Sequence, residues 1–175
     1  MKQSSRQDDL YKEAAATHSR ALERLVQAYE ANPDRQRDLV QEIHIALWRS
    51  FEAFEGRCSL RTWVYRVAHN TAATYVTKER RKTAARWVAL EDIESMPHPS
   101  YVEGAAERQL ALSRLLELIR LLKPIDRQVV LLHLEGLDAE SIGEVVGLSA
   151  GHVRVQIHRI KSVLTRRFHG DAKDE

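Results

Sequence analysis

The sequence predicts an all-α protein: two small helical domains, an N-terminal helical bundle and a C-terminal helix-turn-helix domain, joined by a linker. Three observations carry this. Apolar residues recur at three-to-four-residue intervals in every sustained pattern, and Val, Ile and Thr are scattered through those patterns instead of forming short alternating runs. The patterns stop at helix-breaking points, Asn32-Pro33, Gly56, Lys123-Pro124, Gly136 and Gly147. Residues 87–104 hold no period and contain Pro97 and Pro99, so they read as a linker between a domain at 1–86 and another at 105–175.

Taken in order, Leu10, Ala14, Ala21, Leu25 and Tyr29 mark a first amphipathic helix. Asp34 is the expected cap of a second, with Leu39, Ile43, Leu47, Phe51 and Phe54 on its inner face until Gly56 ends it. After the short loop 55–59, Ser59 is expected to cap a third helix with the stripe Leu60, Val64, Val67, Thr71 and Tyr75, running into Lys78, Arg80, Arg81 and Lys82. A new pattern starts at Ala106 and continues through Leu112, Leu115, Leu116, Ile119 and Leu122. Ile125 to Leu134 forms the next helix. Asp138 then caps a short one holding Ile142, Val145 and Val146, and Ser149 caps a last one striped by Val153, Ile157, Ile160, Leu164 and Phe168.

The net charge of +2 is uninformative, but its distribution is not. Basic residues gather between Arg57 and Arg86 and between Arg154 and Arg167, with Glu91, Asp92, Glu94, Glu103 and Glu107 between them, a layout that suits two phosphate-facing surfaces or two solvated helix faces. No apolar run approaches the roughly 20 residues of a membrane-spanning helix, so no membrane insertion is expected. The polar stretch from Met1 to Arg20 does not read as a signal peptide and the single cysteine cannot form an internal disulfide, so a cytoplasmic location is expected. The histidines show no metal-ligand spacing with a cysteine, and no phosphate loop or activated nucleophile stands out. Neither a metal, a cofactor nor enzymatic activity is expected.

From Asp138 to Arg167 the chain has the grammar of a helix-turn-helix: a short helix, a glycine at the turn, the apolar plug Leu148, a capping serine and a longer helix. The outward residues of that last helix, His152, Arg154, Val155, Gln156, His158, Arg159 and Lys161, cluster in the half that enters the major groove in such motifs. Arginine can bond both guanine acceptors and Val155 can meet a thymine methyl, while Lys161, Arg166 and Arg167 suit phosphates. An ordinary two-helix corner with a basic face is the plainer alternative.

The run DLVQEIHIALWRSFEAFEGRCSLRTWVYRVAHN, Asp38 to Asn70, resembles the second conserved region of the extracytoplasmic-function sigma factors of bacterial RNA polymerase. The run LKPIDRQVVLLHLEGLDAESIGEVVGLSAGHVRVQIHRIK, Leu122 to Lys161, resembles their fourth. Two motifs in the right order and separation are more specific than either alone, and with the linker the likeness spans about residues 20 to 168. It implies a factor that binds core RNA polymerase and directs initiation at promoter DNA, the second region melting the minus-ten element and the fourth reading the minus-thirty-five element. A stand-alone helix-turn-helix regulator is the alternative.

By that resemblance the second region docks on the polymerase clamp helices through Asp38, Leu39, Gln41, Glu42, Leu47 and Trp48, with simple core packing the competing role for Leu39 and Leu47. Gln36 and Arg37 stand where relatives are often acidic. A base pulled from the non-template strand is expected against Phe54, the loop Arg57, Cys58, Ser59 and Leu60, and Asn70, because an aromatic face and an amide suit one flipped base. Arg61, Arg66, Lys78, Arg80 and Arg81 would follow the backbone, and Trp63 is either part of the family's Thr-Trp pair or core. Relatives often carry serine and arginine where this chain has Val155 and Gln156, which implies a promoter consensus of its own. The acidic linker would thread toward the active-site channel. Cys58 reads as a small loop residue or as a redox-sensitive thiol. An anti-sigma factor covering both domains is common in the family.

Overall fold

A computed structural model describes residues 2–83, 87–96 and 107–169. Arg86, Pro97, Pro99, Glu103, Gly104 and Ala106, which figure in the expected linker and domain borders, lie outside the described residues, as do the side chains of Glu94, Glu107 and Phe168. The chain divides into two compact units, residues 1–85 with 143–147, and residues 86–142 with 148–175. All regular structure among the described residues is helical apart from one isolated bridge between Val88 and Leu122.

Helix α1 spans Lys2–Tyr29 and so begins well before the first apolar repeat. It turns Ala14, Ala21, Leu22, Leu25, Val26, Ala28 and Tyr29 inward. Helix α2 spans Pro33–Ser50, and its cap is Asn32, where the sequence suggested Asp34. Asn32 Oδ1 accepts from the backbone amides of Asp34 and Arg35 at 2.9 and 3.1 Å. The reason is Pro33: it has no N–H to satisfy, its fixed φ suits the first helical position, and the cap therefore falls on the residue before it. Leu39, Ile43 and Leu47 are fully buried along α2, each contributing about 2 kcal/mol of apolar burial.

A 3-10 turn at Phe51–Ala53 buries Phe51, and Gly56, at φ 74°, turns the chain toward helix α3, Leu60–Thr83. Ser59 caps α3 as expected, with Oγ accepting from the Thr62 amide at 3.0 Å. The inner face of α3 differs from the expected stripe: Val64, Tyr65, Ala68, His69, Ala72 and Val76 are buried, whereas Leu60, Val67, Thr71 and Tyr75 are only half-buried. Both α1 and α2 pack on α3, and Ala68 and Ala72 let them approach closely. A search for bulky residues passes over alanines and rotates the predicted face.

In the second unit, helix α4 (Leu90–Glu94) lies within the stretch that lacks periodicity, and it buries Leu90 and Ile93. Helix α5 (Glu107–Leu121) buries Ile119, and Leu122 follows it into the core. Helix α6 (Pro124–Leu134) buries Val129 to Leu132 together with Arg127, which is 1% exposed. Arg127 Nε donates to Ile119 O at 3.1 Å and Nη2 to Arg120 O and Leu122 O, so its guanidinium closes the open carbonyls at the end of α5. The Trp87 ring covers the same guanidinium, 4.9 Å from ring centre to Cζ. Helices α7 (Ala139–Val146) and α8 (Ala150–His169) complete the chain.

Candidate nucleic-acid interface

The turn between α7 and α8 is built from the residues the sequence marked. Asp138 Oδ1 accepts from the Ser141 amide at 2.8 Å at the start of α7. Gly147 takes φ 76°, a left-handed conformation costly for any residue with a Cβ. Ser149 Oγ accepts from the His152 amide at 3.3 Å and its carbonyl from the Val153 amide at 3.0 Å, which starts α8. Val153 and Ile160 are fully buried, so the helical period directs Arg154, Val155, His158 and Arg159 outward on successive turns. Val155 is 60% exposed, beside Arg154 on that outward face.

His152, His158 and Lys161 are exposed on the same helix. Arg154 pairs with Glu140, and Arg159 pairs with Glu91. Gln156 is half-buried, its amide donating to Asp126 at 2.5 Å, so it is tied to α6 at the margin of the outward face.

In the N-terminal unit, residues bordering one recess include Phe54, Arg57, Cys58, Trp63 and Arg66. Phe51 meets Phe54 edge-on at 6.3 Å between ring centres, and Trp63 lies tilted against Phe54 at 5.3 Å. The indole N–H of Trp63 donates to Ser50 Oγ at 3.0 Å, which fixes the ring at the recess wall. Trp63 is therefore a wall residue absent from the expected base-binding set; it is half-buried, so it both packs inward and borders the recess. Ser59 and Leu60 border the loop, but the Ser59 hydroxyl is occupied as the α3 cap and shared with Thr62 at 2.9 Å. Arg57 is exposed and pairs with Glu55 at 2.6 Å.

Asn70 is exposed on α3, seven residues after Trp63 and four after Arg66, hence on the same side of the helix. The line continues through Thr74, Lys78 and Arg81, all exposed, giving a polar and basic track that leads away from the recess. Arg80 is half-buried beside that track, and burial lowers its pKa. Arg61 is exposed and stands over the Tyr65 ring at 5.6 Å.

The face of α2 opposite the core carries Asp38, Gln41, Glu42, Ile45 and Trp48, all exposed. Leu39 and Leu47, included in the expected polymerase-binding set, are 0% and 1% exposed: they are core residues that hold α2 and offer no surface to a partner. Ile45, absent from that set, is 47% exposed between Gln41 and Trp48. Its signal was in the sequence, four residues after Gln41 and three before Trp48. Trp48, 42% exposed, is fixed from α1, where Asp8 Oδ1 accepts from its indole at 2.9 Å and Gln7 donates to its carbonyl at 2.8 Å.

Residues 4–82 match the family Sigma-70 region 2 and residues 112–164 match Sigma-70, region 4. The chain is 30% identical to the ECF RNA polymerase sigma-E factor of Haemophilus influenzae over 138 residues, covering 75% of this chain and 73% of that one. It is 25% identical to the factor of the same name from Escherichia coli K12 over 142 residues, covering 74% and 72%. Among solved structures, CnrH in complex with the cytosolic domain of CnrY shares the fold, with a TM-score of 0.69, 20% identity and coverage of 97% of this chain and 94% of that one. So does the sigma factor RpoE in complex with the anti-sigma factor NepR from Bartonella quintana, with a TM-score of 0.67, 19% identity and coverage of 92% and 98%. The two matched regions stand in the order and separation that the two motifs required, and the chain belongs to the extracytoplasmic-function sigma factors, which direct promoter-specific initiation by bacterial RNA polymerase.

Proposed function

We propose that three surfaces divide the work of initiation in this chain. The outward face of α2, with Asp38, Gln41, Glu42, Ile45 and Trp48, docks on the clamp helices of core polymerase. The Phe54–Trp63 recess and its rim at Arg57, Cys58 and Arg66 receive one base flipped from the minus-ten element, with Asn70, Lys78 and Arg81 guiding the strand beyond it. The α8 residues Arg154, Val155, His158 and Arg159 read the minus-thirty-five element, and Lys161 contacts phosphate. Residues 1–86 carry melting and 105–175 duplex reading, while of the expected linker 87–104 the described part, with α4, joins the second unit.

The observation that carries the melting assignment is the aromatic corner itself. Unstacking a base costs a few kcal/mol, and the ring faces of Phe54 and Trp63 offer stacking to offset that cost, in a recess where Arg57 and Arg66 stand with the acidic residues Glu55 and Glu144. The bond-making chemistry belongs to the polymerase, and the working place is the cytoplasm. An anti-sigma partner, as found with the Bartonella quintana factor, would restrain activity by covering these faces.

Run-off transcription with purified core enzyme and native genomic templates tests the reading. Initiation at discrete promoters is the expected result, and tight duplex binding with no initiation would favour a stand-alone regulator. Within that assay, Asn70→Ala should impair opening while core binding persists, and Arg159→Ala should weaken recognition upstream.

A further inference from the structure

Helix α4 lies between the two family matches and belongs to neither. It is nonetheless firmly built. Leu90 and Ile93 are buried beneath it, the Val88 amide donates to Leu121 O at 3.0 Å before it, and Met96 O accepts from Arg167 after it. Held at both ends, α4 packs along α8. Its exposed residue Glu91 is thereby carried to Arg159, and the two form an ion pair.

Both partners are well exposed, and an exposed pair contributes little to folding stability. Its consequence is for the guanidinium, which is already engaged by a carboxylate at the margin of the outward face. A carboxylate and a DNA phosphate offer a guanidinium the same two-oxygen acceptor, and a guanine edge offers a similar pair. We infer that Glu91 is a positioning residue for promoter recognition, holding Arg159 on an internal anion that withholds its guanidinium from the phosphates of non-specific duplex DNA. The carboxyl stays ionised for this role: its own backbone N–H, then Arg159 and Lys123, lower its pKa below the ordinary glutamate value. The inference rests on the assignment of α8 as the duplex-reading helix.

The test uses the full-length chain and a random-sequence duplex, followed by fluorescence anisotropy across a salt series. Glu91→Gln should bind about threefold tighter at low salt. Its plot of log affinity against log salt should steepen by about 0.9, the increment for one further phosphate contact. Glu91→Asp should behave as the parent, and Asp92→Asn, which removes the same charge one residue away, should leave the slope unchanged. In an Arg159→Ala background, Glu91→Gln should give no gain. Lys161→Ala separates the two levels of the argument by reporting whether α8 lies on the duplex. If it weakens binding and flattens the slope while Glu91→Gln changes neither, the role of Glu91 is overturned and that of α8 stands. If Lys161→Ala changes nothing, the assignment of α8 falls and the inference with it. A gain from Glu91→Gln that persists without Arg159 also overturns the proposal.

Discussion

Tyr29 Oη and His69 Nδ1 share a hydrogen bond of 3.1 Å across the interior of the N-terminal unit, with the phenol 3% and the imidazole 1% exposed. Tyr65 lies against the same imidazole, and no charged group drives its ionisation: burial alone pushes the pKa of His69 down to about 3. The folded state thus keeps the ring neutral where the unfolded chain, titrating near 6.5, takes up a proton. Stability from this site is complete above about pH 6.5 and is lost as the pH falls toward 3, at about 1.4 kcal/mol per unit. Urea unfolding at pH 6.5 and 5 should therefore show a loss of about 2 kcal/mol, and His69→Gln should flatten that slope. An equal slope in the variant would assign the loss to other groups.

On α2, Ile45 and Leu47 are two residues apart and face opposite ways. Ile45→Glu should reduce core-polymerase affinity by about tenfold or more with an unchanged melting temperature, as expected for an exposed apolar anchor. Leu47→Ala should instead cost about 2 to 5 kcal/mol of stability. Binding titrations and thermal melts on both variants check the pair.

Trp63 shares the recess wall with Phe54, and losing one stacking face from a base pocket costs about 1 to 3 kcal/mol. Trp63→Ala should reduce promoter opening about tenfold, read by permanganate reactivity of the melted strand, while the holoenzyme still assembles. Unchanged reactivity would leave Trp63 a packing residue only.

Arg127 illustrates a polar residue whose value is structural. Arg127→Met keeps much of the volume but leaves the carbonyls of Ile119, Arg120 and Leu122 without their guanidinium donor, so a loss of about 3 kcal/mol is expected. Denaturant titration measures it. Trp87→Ala should produce a smaller loss, because it removes only the ring over the guanidinium.

Much of the candidate interface was legible in the chain because its signals are local. Gly147, Ser149 and Asp138 announce the helix-turn-helix through their own backbone requirements, which hold whatever packs around them. The cap of α2 was misassigned to Asp34, because Pro33 as the first helical residue moves it back to Asn32. The α3 face was misplaced because alanines form the contact, and Ile45, which the inner stripe of α2 already left out, was passed over because the docking set was taken from the family motif and not from the outward face.

By itself the sequence determined the helical class, the principal turns, the basic outward face of the last helix and the two motifs of the family, since each depends on residues close together along the chain. Only the tertiary structure decided that Trp63 shares a recess with Phe54, that Leu39 and Leu47 serve the core alone and not a partner, and that Glu91 meets Arg159. Those relationships join residues on different helices or select one side of a helix. They depend on packing between elements, which periodicity along a single segment does not encode.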